Sequence, residues 1–395
     1  MVRIASQRLA GFGTSVFTEM SQLAVEHRAI NLGQGFPDFP GPDLVKEAAV
    51  TAIRAELNQY APSHGTPRLR QAIAATFEHS YGRAIDPESE VTVTTGATEA
   101  MQAAMLALID PGDEVILFEP FYDAYPAQVV FAGGTPRAVR LSPPNWSFDP
   151  DELRQAISPR TRVIVVNTPH NPTGKMFSQA ELESIAQLAL EHDLLVITDE
   201  VYDRIVYDGA VHTPIALLPG MWERTMTLNS TGKTFSMTGW KIGFVVAPAG
   251  LGASLRGVHQ FITFATATPF QEAMAVALEL AEAQGYYREL AAHYTLLRAQ
   301  LRDALVAADL PVLPVSGSYY LMADISGLGF DDDVSFCRYL TSEVGVAAIP
   351  PSAFYFDPTS APLLARFCFA KRTETLAAAA ERLAGLPARR AEDLR

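Results

Sequence analysis

The sequence predicts an α/β protein, with a mostly parallel central sheet in a large domain and a smaller α+β domain. From about residue 40 to about residue 285, short apolar runs alternate with stretches of helical periodicity. These runs lack the alternation of a half-exposed strand, so we expect strands that are buried on both faces beneath helices. After about residue 285, a long amphipathic helix and a few separate strands follow instead.

Six apolar runs predict the strands of the large sheet. In chain order they are VTVTT (91–95), EVILF (114–118), RVIVV (162–166), LLVIT (194–198), TMTLN (225–229) and GFVVA (243–247). Ligands of such sheets bind beyond the carboxyl ends of the strands, so the residues after each run are where a site is expected.

The end of the chain predicts the smaller domain. Apolar residues spaced three and four apart indicate one long helix; they are Leu290, Tyr294, Leu297, Leu301 and Leu305. The segments SYYLMADI, VGVAAI and ARFCFA follow, each next to a helical stretch. Because the N-terminal residues precede the large-domain pattern, we assign 1–39 and 286–395 to the small domain and 40–285 to the large one.

The composition restricts the class of protein. Of the 395 residues, 48% are hydrophobic and 19% charged, as in an ordinary globular protein. The net charge of −14 disfavours nucleic acid and anionic membranes as partners. The two cysteines exclude a disulfide framework or a cysteine-rich metal site and fit a reducing cytoplasm. No apolar run approaches the roughly 18 residues of a membrane span, and we expect no signal peptide.

Polar residues follow the first and third of these runs. VTVTT leads into Gly96, Ala97 and Thr98, where small residues at a helix N-terminus let backbone N–H groups approach an anion. The alternative is that Thr98 only caps the helix. RVIVV leads into the turn NTPHNPTGK, which carries Asn171. Asn171 could bind a ligand or stabilise its own turn.

Two further runs end beside ionisable residues. LLVIT leads into Asp199 and Tyr202, and a carboxylate after an apolar strand needs a cation or a donor unless it caps a helix. TMTLN leads into Ser230 and Lys233. A lysine in an apolar, hydroxyl-lined pocket loses its charge easily and becomes a nucleophile, whereas a lone lysine usually extends to solvent.

Taken together, these clusters offer an anion cradle, an acid, an amide and an amine at one edge of the sheet. Pyridoxal phosphate (PLP) requires these four contacts. The amine forms a Schiff base with the aldehyde and the acid keeps the ring nitrogen protonated. The amide and a phenol bind the ring hydroxyl, and the cradle binds the phosphate.

The sequence resembles the class I aminotransferases, which are fold-type I PLP enzymes. It is similar to the branch that contains kynurenine, glutamine and methionine aminotransferases and N-succinyldiaminopimelate aminotransferases. Eight segments carry the resemblance in the family's order, over nearly the whole chain. They are NLGQGFPDFPGP (31–42), NQYAPSHGTPRLR (58–70), GATEAM (96–101), EPFYDAY (119–125), NTPHNPTG (167–174), TDEVYD (198–203), STGKTFSMTGWKIG (230–243) and RFCFAKR (366–372).

The resemblance implies a role for each residue around the cofactor ring. Lys233 matches the Schiff-base lysine, which also moves the substrate's α-proton. Asp199 matches the partner of the pyridine nitrogen. Tyr202 and Asn171 match the contacts of the ring hydroxyl, and Tyr122 matches the aromatic residue that stacks on the ring.

The resemblance also implies a phosphate site and a second subunit. The phosphate site comprises Gly96, Ala97, Thr98, Ser230 and Lys241. Many relatives carry arginine in place of Lys241. The lysine of this sequence keeps the positive charge but cannot form the two parallel hydrogen bonds that an arginine forms. Tyr60 matches a tyrosine that reaches the phosphate of the neighbouring subunit, which implies a homodimer.

The substrate site is implied by Arg366, Gly35, Asn171 and Phe264. Arg366 matches the arginine that grips the substrate carboxylate; from the residues alone, a guanidinium in an apolar strand needs either that carboxylate or a structural salt bridge. Gly35 matches a backbone contact nearby. Phe264 matches an aromatic residue from the partner subunit. The kynurenine branch often has histidine after it, but here Ala265 follows.

These matches imply an aminotransferase with a ping-pong mechanism. It would exchange an amino group between an L-amino acid of methionine, glutamine or aromatic type and a 2-oxo acid. N-succinyldiaminopimelate transamination and cysteine-conjugate β-elimination remain alternatives on the same scaffold. A dinucleotide-dependent dehydrogenase is disfavoured, because GFGTSV and GQGFPD lack the third glycine and follow no strand. A DNA-binding regulator is disfavoured because too few residues precede the first motif for a helix-turn-helix.

Overall fold

The computed structural model describes residues 6–386. Its strands are β1 (Ile30–Asn31), β2 (Val91–Thr95), β3 (Glu114–Glu119), β4 (Thr135–Arg140), β5 (Thr161–Asn167), β6 (Leu195–Asp199), β7 (Thr225–Ser230), β8 (Ile242–Val246), β9 (Tyr320–Asp324), β10 (Val346–Ala347) and β11 (Leu364–Cys368). No helix in this part of the chain is long and apolar enough to cross a bilayer.

Helices surround these strands. They are α1 (Val16–Glu26), α2 (Asp43–Arg54), α3 (Pro67–Tyr81), α4 (Gly96–Leu108), α5 (Ala124–Ala132), α6 (Pro150–Ala156), α7 (Gln179–Glu191), α8 (Thr231–Thr234), α9 (Ala249–Ile262), α10 (Thr268–Ala281), α11 (Tyr286–Ala307), α12 (Asp333–Tyr339) and α13 (Thr373–Leu383). Their ends follow ordinary capping chemistry. For example, Ser178 and Glu181 form a capping box at the start of α7.

The central sheet has seven strands in the order β2-β8-β7-β6-β5-β3-β4. Strand β8 runs antiparallel to both of its neighbours, and the other pairs are parallel. All six predicted strands are present, with ends that shift by one residue at most. The predicted fold class is therefore confirmed.

Strand β4 was not predicted, because its sequence TPRAVR lacks an apolar run. It lies at the edge of the sheet beside β3, and its residues are mostly exposed or half-buried. Arg137 in this strand pairs with the buried Glu114 of β3. An edge strand of this kind has no second neighbouring strand to bury it. Its sequence is therefore polar, like that of an exposed segment, and does not indicate a strand.

The predicted long helix is α11, and the five apolar residues that predicted it are its buried residues. One hydrophobic cluster joins this helix to β9 and β11 and to the N-terminal residues Met20 and Leu32. The cluster also includes Tyr202, which follows β6 of the large sheet. The domain boundaries at 39/40 and 285/286 stay a prediction, and residues 1–5 and 387–395 of that division lie outside the described residues.

Candidate active site

A cavity of about 380 Å³ lies beyond the carboxyl ends of the parallel strands. The segments after β2, β5, β6 and β7 meet there because these strands end at the same edge of the sheet. The predicted site residues that line it are Gly35, Gly96, Ala97, Thr98, Tyr122, Asn171, Asp199, Tyr202, Ser230, Lys233 and Lys241. Four separate strand ends thus contribute to one site, as the sequence predicts.

Lys233 lies in the single turn α8, directly after β7. Its Nζ donates to the carbonyl oxygen of Gly35 at 3.3 Å and forms no ion pair within residues 6–386. Burial lowers the pKa of Lys233 to about 8; the nearby Cys368 and Asp199 oppose this fall, and the Lys241 and Arg366 cations add to it. A substantial fraction of this amine is therefore neutral near physiological pH, which makes it a nucleophile and a base.

Asp199 is the last residue of β6 and is buried. Its Oδ2 accepts a hydrogen bond from the Tyr125 hydroxyl at 2.6 Å, and its Oδ1 accepts one from the Val201 backbone at 3.3 Å. Burial raises the pKa of Asp199, whereas the Tyr125 hydrogen bond opposes that rise. A carboxylate in this position has room for a cationic partner from a ligand.

The anion cradle is built around Gly96, which has a φ of +75° at the start of α4. A side-chain carbon at Gly96 would lie 3.1 Å from Nζ of Lys241, and one at Gly243 would lie 2.7 Å from the backbone nitrogen of Ala97. Two glycines therefore let the Lys241 amine pack against the first turn of α4. Thr98 is not the cap of this helix, because the capping position is Thr95 and its side chain forms no capping hydrogen bond.

Asn171 does not use its side chain to stabilise its own turn. That task falls to Asn167, whose Oδ1 accepts from the Asn171 backbone N–H at 2.8 Å. The Oδ1 of Asn171 instead accepts from the Arg366 guanidinium at 2.8 Å. The turn after β5 and strand β11 are therefore linked directly at the site.

Arg366 is fully buried and has no carboxylate partner within the described chain. Besides Asn171, it donates to the carbonyl oxygen of Gly33 at 2.9 Å, while its Nε has no hydrogen-bond partner. The guanidinium lies 4.2 Å from the centre of the Tyr320 ring. Among the described residues a structural salt bridge is thus absent, and the buried cation keeps one donor without a partner.

Two tyrosines of the site were not predicted. Tyr125 binds Asp199, and Tyr320 places its hydroxyl 3.1 Å from that of Tyr202. Tyr125 lies in the segment EPFYDAY, three residues after Tyr122, so that motif could have indicated it. Tyr320 lies in an apolar strand, where a tyrosine reads as part of the core.

Tyr60 and Phe264 do not line the cavity of their own chain. Their side chains are 85% and 48% exposed, and their ring centres lie 5.3 Å apart in an edge-to-face arrangement. Both residues were predicted to act in the site of a partner subunit, and that role stays a prediction.

A lysine that burial relieves of its charge is suited to holding an aldehyde, which is the chemistry of pyridoxal phosphate enzymes. The chain belongs to one family of these enzymes, the aminotransferases of class I and II, whose family model matches residues 27–383. The resemblance that its motifs predicted is therefore confirmed, as is its assignment as an aminotransferase that acts on amino acids and 2-oxo acids.

Similar proteins support this assignment over the whole chain. Methionine aminotransferase of Escherichia coli is 45% identical over 96% of this chain and 98% of the relative. A probable N-succinyldiaminopimelate aminotransferase of Mycobacterium tuberculosis is 46% identical over 97% of this chain and 98% of its own length. A solved structure from Escherichia coli, described as having a methionine aminotransferase function, superposes with a TM-score of 0.94 at 44% identity and covers 98% of this chain and 100% of that one.

The family depends on PLP, and the residues of the cavity fit that cofactor. Gly96 lets the Lys241 amine approach the first turn of α4, and Gly243 lets strand β8 pack against the backbone of Gly96 and Ala97, so a cation and a helix N-terminus meet at the cavity as a phosphate site requires. Asp199 presents a buried carboxylate that no cation of the described chain pairs with. The predicted cofactor is thus confirmed for the family.

Proposed function

We propose that this protein transfers the amino group of an L-amino acid with a neutral side chain, of methionine, glutamine or aromatic type, to a 2-oxo acid in a ping-pong reaction. One observation carries the proposal. Arg366, a buried cation without a carboxylate partner among the described residues, contacts Asn171 and Tyr320, which line the same cavity as Lys233, an amine with a pKa of about 8. An amino acid offers the two groups that this pair can act on, a carboxylate and an α-proton.

The cofactor, when bound, supplies an aldehyde that the lysine can hold and a ring that takes up electrons. Asp199 would hold the ring nitrogen, and Tyr125 would keep that carboxylate ionised and oriented. Tyr202 and Asn171 would hold the ring oxygen, and Tyr122 would pack on the ring face. The remaining proposed ligands would bind the phosphate group of the cofactor. They are Gly96, Ala97, Thr98, Ser230, Lys241 and, from the partner subunit, its copy of Tyr60.

Arg366 would bind the substrate carboxylate through its free Nε. The Gly33 carbonyl and the Asn171 amide fix the guanidinium plane, so the carboxylate is oriented when it binds. The segment from Gly33 to Gly35 connects the two cations, because Gly33 accepts from Arg366 and the carbonyl oxygen of Gly35 accepts from Nζ of Lys233. The α-carbon would then face Lys233, whose neutral amine takes the α-proton and later returns one.

The charges around the cavity support a neutral substrate side chain. Lys233 and Lys241 are the cations that line it within the described residues, and both already have a part in the proposal. Phe17, Phe36 and Tyr122 supply apolar wall. An anionic side chain would therefore find no further cation in the cavity wall formed by residues 6–386.

Two alternatives remain on the same site. One relative is a probable N-succinyldiaminopimelate aminotransferase, and that substrate carries an extra carboxylate that would need a cation from elsewhere. β-Elimination from a cysteine conjugate begins with the same removal of the α-proton by Lys233. Release of pyruvate and ammonia without any 2-oxo acid would identify that reaction.

A half-reaction screen tests the proposal. Each candidate amino acid is added alone to the holoenzyme, and conversion of the cofactor to pyridoxamine phosphate is followed by its absorbance. Methionine, glutamine or aromatic amino acids should convert it, with release of one 2-oxo acid per site, and N-succinyldiaminopimelate should not. Borohydride reduction before substrate should fix the cofactor on Lys233; a label on another residue would disprove the assignment.

We also propose a cytoplasmic homodimer. The exposed aromatic side chains Tyr60, Phe261 and Phe264 are 85%, 86% and 48% exposed, which is costly in an isolated chain. Both cysteines are buried and free, which fits a reducing compartment. Light scattering should give twice the chain mass of 42.8 kDa, and a monomer at micromolar concentration would contradict the dimer.

A further inference from the structure

Tyr320 contacts both ends of the proposed site. It is the first residue of β9, is 2% exposed and forms part of the cavity wall. Its hydroxyl lies 3.1 Å from the Tyr202 hydroxyl, and its ring lies 4.2 Å from the Arg366 guanidinium. A single side chain therefore touches the residue proposed for the cofactor ring and the residue proposed for the substrate carboxylate.

The position of this side chain is fixed by the strands around it. In the antiparallel pair of β9 and β11, Tyr320 is opposite Cys368 and Met322 is opposite Arg366, so Tyr320 and Arg366 are diagonal neighbours. A side-chain carbon at Gly35 would overlap the Tyr320 hydroxyl. Gly35 therefore leaves the space in which that hydroxyl points towards Tyr202.

The number of protons sets the direction of the hydrogen bond between the two phenols. The Tyr202 hydroxyl carries one proton, and either oxygen of the pair could donate. If Tyr202 donates its one hydrogen bond to the ring oxygen of a bound cofactor, its own oxygen can only accept a hydrogen bond from Tyr320. Tyr320 is then the donor, and consecutive hydrogen bonds polarise and strengthen one another.

We propose that Tyr320 is a positioning residue that acts through Tyr202: its hydroxyl strengthens the hydrogen bond which Tyr202 donates to the ring oxygen of the cofactor. This inference rests on the proposed function, since it takes Tyr202 as the contact of that oxygen. A stronger hydrogen bond withdraws negative charge from the oxygen. The nearby nitrogen that joins Lys233 to the cofactor consequently becomes less basic.

The test is the pH titration of the holoenzyme's visible absorbance. Tyr320→Phe removes the hydroxyl and keeps the ring, so Tyr202 becomes the weaker donor. The pH midpoint of the absorbance change should move upward by about 0.3 to 0.5 unit, the size expected for one polarised hydrogen bond. The KM for the amino acid should stay within about twofold, because the retained ring still packs under Arg366.

A matched control is Tyr207→Phe. Tyr207 is buried in the same hydrophobic cluster, does not line the cavity and donates to the Ser318 carbonyl at 2.6 Å. This variant should lower the melting temperature and leave the midpoint unchanged. In a Tyr202→Phe background, Tyr320→Phe should cause no further shift, because the residue it acts through has lost its hydroxyl.

The outcomes are distinguishable. An equal midpoint in the wild type and Tyr320→Phe overturns the inference, and so does a shift that persists in the Tyr202→Phe background. A wild-type holoenzyme without any pH-dependent visible absorbance would overturn the proposed site at Lys233 and this inference with it. An upward shift that needs Tyr202 supports both.

Discussion

At the scale of single residues, Arg366 is the clearest case in which structure and chemistry require one side chain. Its planar guanidinium donates to Gly33 and to Asn171 and keeps one further donor free. A lysine ammonium cannot reproduce this planar arrangement. We expect Arg366→Lys to lower kcat/KM for amino acids about 10- to 100-fold, the size of a lost charged hydrogen bond, mainly through KM. Steady-state kinetics measure this.

Arg154→Lys is the control for that substitution. Its guanidinium pairs with Glu191 on the surface, with half of its side chain exposed, so the exchange should leave the kinetics unchanged. Equal kcat/KM for Arg366→Lys and the wild type would remove Arg366 from the proposed site.

Residues of the site differ in how well the sequence reveals them. Asp199 ends a strand, and Asn171 and Lys233 lie in the turns that follow strands, so the rule that ligands bind at strand ends finds them. Tyr320 lies inside an apolar strand, and its hydroxyl gains a partner only through the close approach of Gly35 and the register of β9 with β11. Contacts that depend on tertiary register leave no local pattern to read.

At the scale of elements, the first turn of α4 depends on Gly96 for two separate reasons. Its φ is +75°, and a side chain there would crowd the Lys241 amine. Gly96→Ala should therefore raise the Kd for PLP about tenfold or more, since backbone strain of about 1 kcal/mol adds to displacement of a cation. Titration of the cofactor-free protein with PLP measures this.

Gly82→Ala separates the two effects. Gly82 ends α3 with a φ of +71°, and a side-chain carbon there would meet nothing within 4 Å. The variant should lose stability through the same backbone strain while its Kd for PLP stays as in the wild type. A similar loss of PLP affinity in both variants would show that strain, and not the Lys241 contact, accounts for the effect.

The more deeply a helix or strand is buried, the more clearly its sequence pattern predicted it. The five apolar positions of α11 and the buried strands of the sheet gave strong patterns, because each is covered by the core. Strand β4 lies at an edge of the sheet, and its arginines give it the polar sequence of an exposed segment. Its place in the sheet is set by pairing with β3, which is a contact between segments and not a property of TPRAVR.

At the scale of the whole molecule, an acidic chain with a net charge of −14 concentrates three cations around one cavity. Lys233, Lys241 and Arg366 form no ion pair within the described residues. Burial makes this arrangement unfavourable, and at Lys233 repulsion from the other two cations adds to it while Asp199 opposes it. Binding of the proposed anionic cofactor and substrate carboxylate would relieve this cost. The site is thus held in place by the surrounding fold at some cost in stability.

This cost gives a prediction about pH. The pKa of Lys233 falls from 10.5 to about 8 on folding, so between these values the unfolded chain binds more protons than the folded one. Stability due to this group therefore rises with pH across that window and is lowest below pH of about 8. Lys233→Met, which keeps the length and removes the charge, should raise the melting temperature of the cofactor-free protein at pH 7.

The gain should shrink as pH increases, because the wild-type lysine then loses its proton and its penalty. Thermal unfolding of the two cofactor-free proteins at pH of about 7 and 9.5 tests this. Lys46→Met is the control, since Lys46 lies on the surface beside Asp43 and has no buried charge to relieve. A gain for Lys233→Met that is absent at pH 7, or equal at both pH values, would show that Lys233 carries no burial penalty. Its readiness to act as a neutral amine would then need another cause.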